Sequence, residues 1–253
     1  MEELATQAFW LGLAKIIGVN IVLSGDNAVV IALAARSLPP RQQKQAIFWG
    51  AGAAVVLRII LTIFAAKLLG LPWLKIVGSL LLFWIGIKLL VPEDDGDDIT
   101  ASDHLLTAIK TILIADLVMS LDNVIAVAAA ASGSMTLLIL GLAISIPLVV
   151  FGATLLVKAM ERYPVIITVG AGLIGWVAGE MVITDLALRP WLEPLGAVYR
   201  GDETGLRPYL GGVNVEFITG AIGVLIVVAW GTWLAKRHAI GKQAPAGPGP
   251  GNS

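Results

Sequence analysis

The chain has no cysteine and little charge for its 253 residues. Without cysteine it can form no disulfide, thiolate metal site, iron–sulfur cluster or cysteine nucleophile. Charged residues make up 14%, whereas 57% are apolar and the mean hydropathy is +0.88. A water-soluble globular domain is excluded, because such a fold cannot bury this much apolar surface. The net charge of −1 provides no basic field for nucleic acid, so the expected environment is the lipid bilayer.

Apolar runs long enough to cross a bilayer recur along the chain. One helical span needs about 20 apolar residues, and seven runs approach or exceed that length. The predicted fold is an all-α membrane protein of seven transmembrane helices. The first and fourth runs are longer than a straight helix requires and contain polar clusters, which predicts a break or unwinding in each. The seven runs are residues 8–35, 46–67, 72–91, 105–131, 135–157, 164–187 and 217–235.

Basic residues indicate which side of the membrane each connection faces. If the N-terminus is outside, ten Lys and Arg residues fall in cytoplasmic segments and five in external segments. The positive-inside rule therefore predicts an external N-terminus and a cytoplasmic C-terminus. Glu2 and Glu3 stand where a secretory signal would carry Lys or Arg, so the first run is expected to be retained.

The two long runs contain similar segments. Residues 24–35 read SGDNAVVIALAA and residues 120–131 read SLDNVIAVAAAA, identical at six of twelve positions. Upstream of these motifs Asn20 aligns with Asp116, and the third and sixth runs share Pro, Val, Gly, Leu and Trp at matching spacing. Apolar helices align easily by chance, but a paired S-x-D-N fits chance poorly. Because a three-span unit reverses direction when copied, we predict two inverted repeats about a pseudo-twofold axis in the membrane plane.

The duplication and the local composition divide the chain into six parts. The acidic linker between the repeats is not an EF-hand loop; it is either a solvated connection or a weak cation-attracting surface at the inner entrance. The sequence of the external loop indicates no function. In chain order the parts are a first three-helix repeat (1–91), an acidic cytoplasmic linker (92–104), a second three-helix repeat (105–188), an external loop (189–216), a seventh helix (217–235) and a disordered cytoplasmic tail (236–253).

Polar residues at membrane depth are the strongest functional signal. A charge at the centre of a spanning helix costs about 2.5 to 3.5 kcal/mol on insertion scales, so its presence indicates function. Arg58 is the only deep cation, which leaves some acids to be protonated or matched by a bound cation. Asp, Asn and Ser oxygens suit Mn²⁺, Mg²⁺ or Ca²⁺. The predicted metal ligands are Asp26, Asp122, Asp116, Asn27, Asn123 and Asn20, and the candidates for gating or a proton relay are Glu180, Arg58, Ser24 and Ser120.

The two motif aspartates also have a structural interpretation. Asp26 and Asp122 could cap a second half-helix that begins at the following Asn. Asp116 and Asp122 point about 120° apart on an unbroken helix. Both would face one cavity only if residues 118–121 are distorted.

The acids of the sixth run have alternatives of their own. Glu180 could form an ion pair with Arg58 or Lys15, or serve as a ligand or proton relay. Asp185 lies near the outer end of its span and is expected to be solvated at the mouth.

Two segments carry a resemblance to a known family. SGDNAVVIA at residues 24–32 and DLVMSLDNVIA at residues 116–126 resemble the TerC family of integral membrane proteins, and the resemblance extends over residues 8–235. It implies manganese efflux across a bacterial cytoplasmic membrane, kinship with the lysine-exporter superfamily and a historical link to tellurium resistance. It also implies Mn²⁺ as the transported ion and no permanently bound cofactor. The positions that match the family's acidic motif are Asp26, Asn27, Asp116, Asp122 and Asn123.

The leading hypothesis is an exporter of divalent cations that works by alternating access and is not an enzyme. A first alternative is an exporter of another small solute such as an amino acid, whose carboxylate would bind a helix N-terminus at Asn27 or Asn123. A second is an intramembrane aspartyl hydrolase, in which two Asp share a proton and activate water. A third is a non-transporting membrane protein that helps to metalate or secrete other proteins. Homo-oligomers and other membrane partners remain open.

Overall fold

The structure is a computed structural model that describes residues 7–68, 70–91, 101–131, 134–202 and 205–243. Within these ranges the chain is mostly helical, with one small antiparallel sheet. The helices are α1 (Gln7–Leu23), α2 (Gly25–Ala35), α3 (Pro40–Leu68), α4 (Leu74–Leu90), α5 (Ala101–Ala131), α6 (Met135–Arg162), α7 (Val165–Ile183), α8 (Arg189–Leu192) and α9 (Val215–Gln243).

The first span is broken, as the sequence predicts. Helices α1 and α2 meet at Ser24 with a bend of 50°. The break falls on Ser-Gly-Asp-Asn, four residues that favour caps and turns over helix interiors. Two polar contacts satisfy the backbone there: Asn27 N donates to Asp26 Oδ1 at 2.7 Å, and Asn123 Nδ2 donates to the Leu23 carbonyl at 3.0 Å.

The break predicted in the fourth span is wrong, because α5 is one continuous helix of 31 residues. The two copies of the motif differ at the position after the Ser, where Gly25 in the first copy corresponds to Leu121 in the second. Glycine costs roughly 1 kcal/mol in a helix interior, whereas leucine is a strong helix former. Residues 118–121 are accordingly helical, and the distortion predicted between Asp116 and Asp122 is absent.

The helices make the chain an integral, multi-pass membrane protein. In the described part, five helices are long and apolar enough to cross a membrane, and the bent pair α1–α2 makes a sixth if it forms one span. Helix α4 has 17 residues and extends about 25 Å, which is short of the roughly 30 Å hydrocarbon core. The count of seven spans and the inverted repeat therefore stay predictions.

Helix α2 lies at the centre of the helix packing. Eight of its 11 residues are buried, and it packs against α3, α5, α6 and α7. Small residues allow this close approach. On α7, a Cβ added at Gly170 would lie 2.7 Å from Val29 Cγ1 of α2.

Asp185 is buried, contrary to the prediction that it is solvated at the mouth of the span. It is 2% exposed, and its carboxylate accepts hydrogen bonds at the start of α4. The free N–H groups of a helix N-terminus attract a carboxylate, which explains its burial. The donors are the backbone N–H groups of Trp73 (2.9 Å), Lys75 (2.9 Å), Ile76 (3.2 Å) and Ala187 (2.7 Å).

The segment predicted as an external loop is folded. After α8 the chain forms an antiparallel sheet in the order β1 (Val198–Asp202), β2 (Gly205–Leu210) and β3 (Val213–Asn214), with Tyr199 opposite Pro208 and Tyr209 opposite Asn214.

Two predicted boundaries are shifted. Helix α5 begins at Ala101, inside the predicted acidic linker 92–104, and residues 92–100 lie outside the described ranges. Helix α9 continues to Gln243, so the first eight residues of the predicted disordered tail 236–253 are helical. Residues 244–253 lie outside the described ranges.

Candidate functional site

An arginine from α3 lies at the centre of a buried polar network. Arg58 is 3% exposed, and its guanidinium donates four hydrogen bonds to side chains of α1, α5 and the α1–α2 break. The network thus joins three elements that are distant in sequence. The bonds are Nη2 to Asp116 Oδ1 (2.6 Å), Nη1 to Asn20 Oδ1 (2.7 Å), Nη1 to Ser24 Oγ (2.8 Å) and Nε to Ser120 Oγ (3.0 Å).

The four partners of Arg58 form two matched pairs. Within each pair the residues are four positions apart in the sequence, a spacing that places them on the same face of a helix. In both pairs the serine hydroxyl donates to the polar residue before it: Ser24 Oγ to Asn20 Oδ1, and Ser120 Oγ to Asp116 Oδ2, each at 3.2 Å. These are the pairs that align in the duplicated sequence. One guanidinium therefore contacts the same two positions of both copies.

The network contains one buried ion pair. The side chains of Arg58 and Asp116 are 4% and 5% exposed, with Nη2 and Oδ1 2.6 Å apart. The pair is neutral as a unit. Removing one partner from such a pair commonly costs about 3 to 5 kcal/mol, because it leaves an uncompensated buried charge.

A small cavity of about 20 Å³ adjoins the network. This volume accommodates one water molecule or one ion of similar size. Asn27 lines it and is 3% exposed, and its Oδ1 and Nδ2 have no hydrogen-bond partner in the described part of the chain. The Asn27 amide is therefore available to a small polar occupant. The remaining lining residues are Asn20, Ser24, Ile31, Ala51, Ala54, Val55, Arg58, Asp116, Ile146 and Val149.

Of the six predicted metal ligands, three line this cavity: Asn20, Asn27 and Asp116. Asp26 and Asn123 lie at the adjoining helix break, where their side chains bond backbone groups of α2 and α1. The backbone of Asp122 belongs to α5, but its side chain is outside the described part of the structure. The described side chains contain no group of three or more His, Asp or Glu placed to hold a metal ion.

The other predicted relay residues divide into two groups. Ser24, Ser120 and Arg58 belong to the buried network. Glu180 is on α7, where its Oε1 accepts a hydrogen bond from Trp176 Nε1 at 2.7 Å, and it is not among the residues that line the cavity. The sequence identified Arg58 as the only deep cation but not as the centre of the site. The signal that could have indicated this role is that Arg58 is the one basic residue among several acids predicted at membrane depth.

Comparisons with known proteins agree with an integral membrane protein. A family model described as "Integral membrane protein TerC family" matches residues 5–239. The chain is 43% identical to "Uncharacterized membrane protein YjbE" of Bacillus subtilis over 190 residues, which cover 75% of this chain and 87% of that protein. It is 27% identical to "Uncharacterized membrane protein YkoY" of the same organism over 70% of this chain and 61% of that protein.

A shorter similarity involves "UPF0053 inner membrane protein YoaE" of Escherichia coli, at 39% identity over 59 residues, or 23% of this chain and 11% of that protein. No solved structure matches the chain.

Proposed function

Because the chain belongs to the integral membrane protein TerC family, we propose that it exports divalent cations, Mn²⁺ above all, across the bacterial cytoplasmic membrane. The observation that carries the proposal is the buried cavity lined by Asn20, Ser24, Asn27 and Asp116. These side chains offer hard oxygen ligands of the kind that Mn²⁺, Mg²⁺ and Ca²⁺ prefer. Polar groups are costly at this depth, so their presence indicates a function. Their oxygen atoms are suited to binding an ion.

The size of the cavity favours an ion over a larger solute. Sites for small organic molecules usually have roughly 300 to 1,000 Å³, whereas this cavity has about 20 Å³. An amino acid would require a much larger opening between α1, α3 and α5. The cavity beside Arg58 therefore suits a bound ion better than an amino acid.

The charges also disfavour an aspartyl hydrolase. That chemistry needs two carboxylates close enough to share a proton. Among the described side chains, Asp116 is the only carboxylate that lines the cavity, and it forms an ion pair with Arg58. The proposal is therefore transport and not catalysis.

The transport cycle follows from the matched pairs. Asn20 and Ser24 belong to the first copy of the motif, and Asp116 and Ser120 to the second, so the cavity lies where the two copies meet. In transporters built from inverted repeats, one repeat rocks against the other around such a site and opens it to each side in turn. We propose that ion release faces the outside and that the N-terminus is external.

The test is ion flux in vesicles that contain the purified protein, with Mn²⁺, Mg²⁺, Ca²⁺ and Zn²⁺ as substrates. Asp116→Asn should lower Mn²⁺ flux by at least about tenfold, equivalent to about 1.4 kcal/mol of lost interaction. Asp122→Asn tests separately whether the second motif aspartate contributes to transport. The matched control is Glu161→Gln, which neutralises an exposed acid on α6 and should transport like the wild type.

Folded protein is confirmed for each variant by its elution volume in detergent. A wild-type protein that moves no divalent ion would refute the proposal, as would unchanged Mn²⁺ flux in both aspartate variants. Amino acid uptake into the vesicles down its concentration gradient, without any flux of divalent ions, would favour the alternative of a solute exporter.

A further inference from the structure

Arg58 and a divalent ion in the cavity would use the same oxygen atoms. The guanidinium bonds Asn20 Oδ1 at 2.7 Å, Ser24 Oγ at 2.8 Å and Asp116 Oδ1 at 2.6 Å, and all three residues line the cavity. A metal ion held by these oxygens needs the lone pairs that the N–H groups engage. Two cations held within a few ångströms in a buried site also repel each other strongly. The guanidinium and the ion therefore exclude each other.

We infer that Arg58 is a tethered competitor of the transported ion. Binding of the ion to Asn20, Ser24 and Asp116 displaces the guanidinium, and the return of the guanidinium releases the ion. The inference rests on the proposed function and adds a release step to the same site.

The competition keeps Asp116 paired throughout the cycle. When the ion is bound, the ion offsets the carboxylate charge; when the ion has left, Arg58 offsets it. Without Arg58 the ion-free site would contain a buried, unpaired carboxylate, and an occluded state with such a charge is strongly disfavoured. Arg58 is thus required when the protein returns without its ion, and it is dispensable while the ion is bound.

Two transport modes separate these requirements. Net efflux into ion-free buffer requires the protein to return without its ion. Exchange of labelled Mn²⁺ for unlabelled Mn²⁺ requires only the ion-bound protein to reorient. Arg58→Gln should therefore lose net efflux and retain exchange. A purely structural role for Arg58 would lower both modes together.

The expected size of the effect follows from removing a competing ligand. In Arg58→Gln the apparent dissociation constant for Mn²⁺ should fall by roughly 5- to 150-fold, the usual range of coupling between two ligands. Net efflux relative to exchange should fall by a similar factor. Arg58→Lys keeps the charge but lacks the planar fork of donors, so it should bind Mn²⁺ more tightly than the wild type and still support net efflux. The control is Lys88→Gln, which removes a cation that stacks on Trp84 and should leave both modes unchanged.

Several outcomes would overturn the inference. One is an Arg58→Gln protein whose net efflux and exchange change by the same factor, or do not change. Another is an Arg58→Lys protein that loses net efflux as Arg58→Gln does. The return step is assigned to the positive charge, which lysine keeps. If Arg58→Gln does not fold, Arg58→Lys decides, and an unchanged Mn²⁺ affinity in that variant overturns the inference. A wild-type protein inactive in both modes would instead refute the proposed function itself.

Discussion

Asn27 is a residue that stability alone does not explain. Its neighbour in the cavity, Asn20, accepts hydrogen bonds from Arg58 and Ser24. The Asn27 amide is equally buried, yet its Oδ1 and Nδ2 have no partner among the described residues. A buried polar group without a partner costs about 1 to 3 kcal/mol. A bound ion or water that uses the Asn27 oxygen would account for its presence.

Asn27→Ala should separate binding from stability. Losing the unpartnered amide offsets the small loss of packing, so the free energy of unfolding should stay within about 1 kcal/mol of the wild-type value. Mn²⁺ flux should fall at subsaturating Mn²⁺ because one oxygen ligand is gone. The measurements are the unfolding midpoint in detergent and flux as a function of Mn²⁺ concentration.

Ser79→Ala is the matched control for Asn27→Ala. Ser79 on α4 is fully buried, and its hydroxyl has no partner in the described part of the chain, but it is not among the cavity-lining residues. Its replacement should leave flux unchanged. An Asn27→Ala protein with wild-type flux at every Mn²⁺ concentration would show that the amide is not a ligand.

At the scale of elements, the start of α4 depends on a residue from the loop that follows α7. Trp73 precedes α4 with a left-handed backbone, at φ 72°, and Asp185 accepts from the N–H groups of Trp73, Lys75 and Ile76. A capping carboxylate supplied from the loop after α7 fixes both the first turn of α4 and its position against α7. The left-handed conformation, which is rare for a bulky residue, is held in place by this contact.

Asp185→Ala should destabilise the protein without changing the ion site. Loss of a cap and exposure of buried N–H groups should lower the free energy of unfolding by about 2 kcal/mol. The unfolding midpoint in detergent measures this loss. Glu193→Ala, which removes an exposed acid of the same loop, should leave the midpoint unchanged. A midpoint for Asp185→Ala equal to that of the control would mean that solvent replaces the cap.

The same elements show what the sequence could predict. Helix type and approximate span limits follow from apolar run length, and the bend at Ser24 follows from Ser-Gly-Asp-Asn. Similarity between the motif copies predicts a second break, but α5, which has Leu121 where the first copy has Gly25, is one continuous helix. The difference in residue type accounts for this outcome, because glycine is unfavourable in a helix interior and leucine is favourable.

The site was predicted in its composition more than in its connections. The sequence identified Asn20, Asp116 and Arg58 as deep polar residues, and the structure brings them together. Their convergence on one guanidinium could not be read from spacing, because the bonds join residues 38 and 58 positions apart. Burial of Asp185 was missed for the same reason, since its partners at the start of α4 lie about 110 residues earlier.

At the scale of the whole molecule, the predicted inverted repeat determines on which side of the membrane two connecting segments lie. The α3–α4 connection and the α6–α7 connection occupy aligned positions in the two copies, with Leu71 corresponding to Tyr163. Repeats of the same topology would place these two connections on the same side of the membrane. Inverted repeats place them on opposite sides. The side on which each residue lies therefore decides the relation between the halves.

The absence of cysteine makes this test direct. Leu71 and Tyr163 are exposed at 52% and 54%, and a single cysteine at either position is the only thiol in the protein. With an external N-terminus, Leu71→Cys should react with a membrane-impermeant maleimide added to intact cells. Tyr163→Cys should react only after the cells are opened. Leu195→Cys, in the loop after α7 and 70% exposed, should label like Leu71→Cys.

Labelling of Leu71→Cys and Tyr163→Cys from one side would refute the inverted repeat, and opposite labelling in the reversed sense would place the N-terminus in the cytoplasm. The charge pattern predicts the first arrangement, because ten of the basic residues in the connecting segments then face the cytoplasm and five face outward.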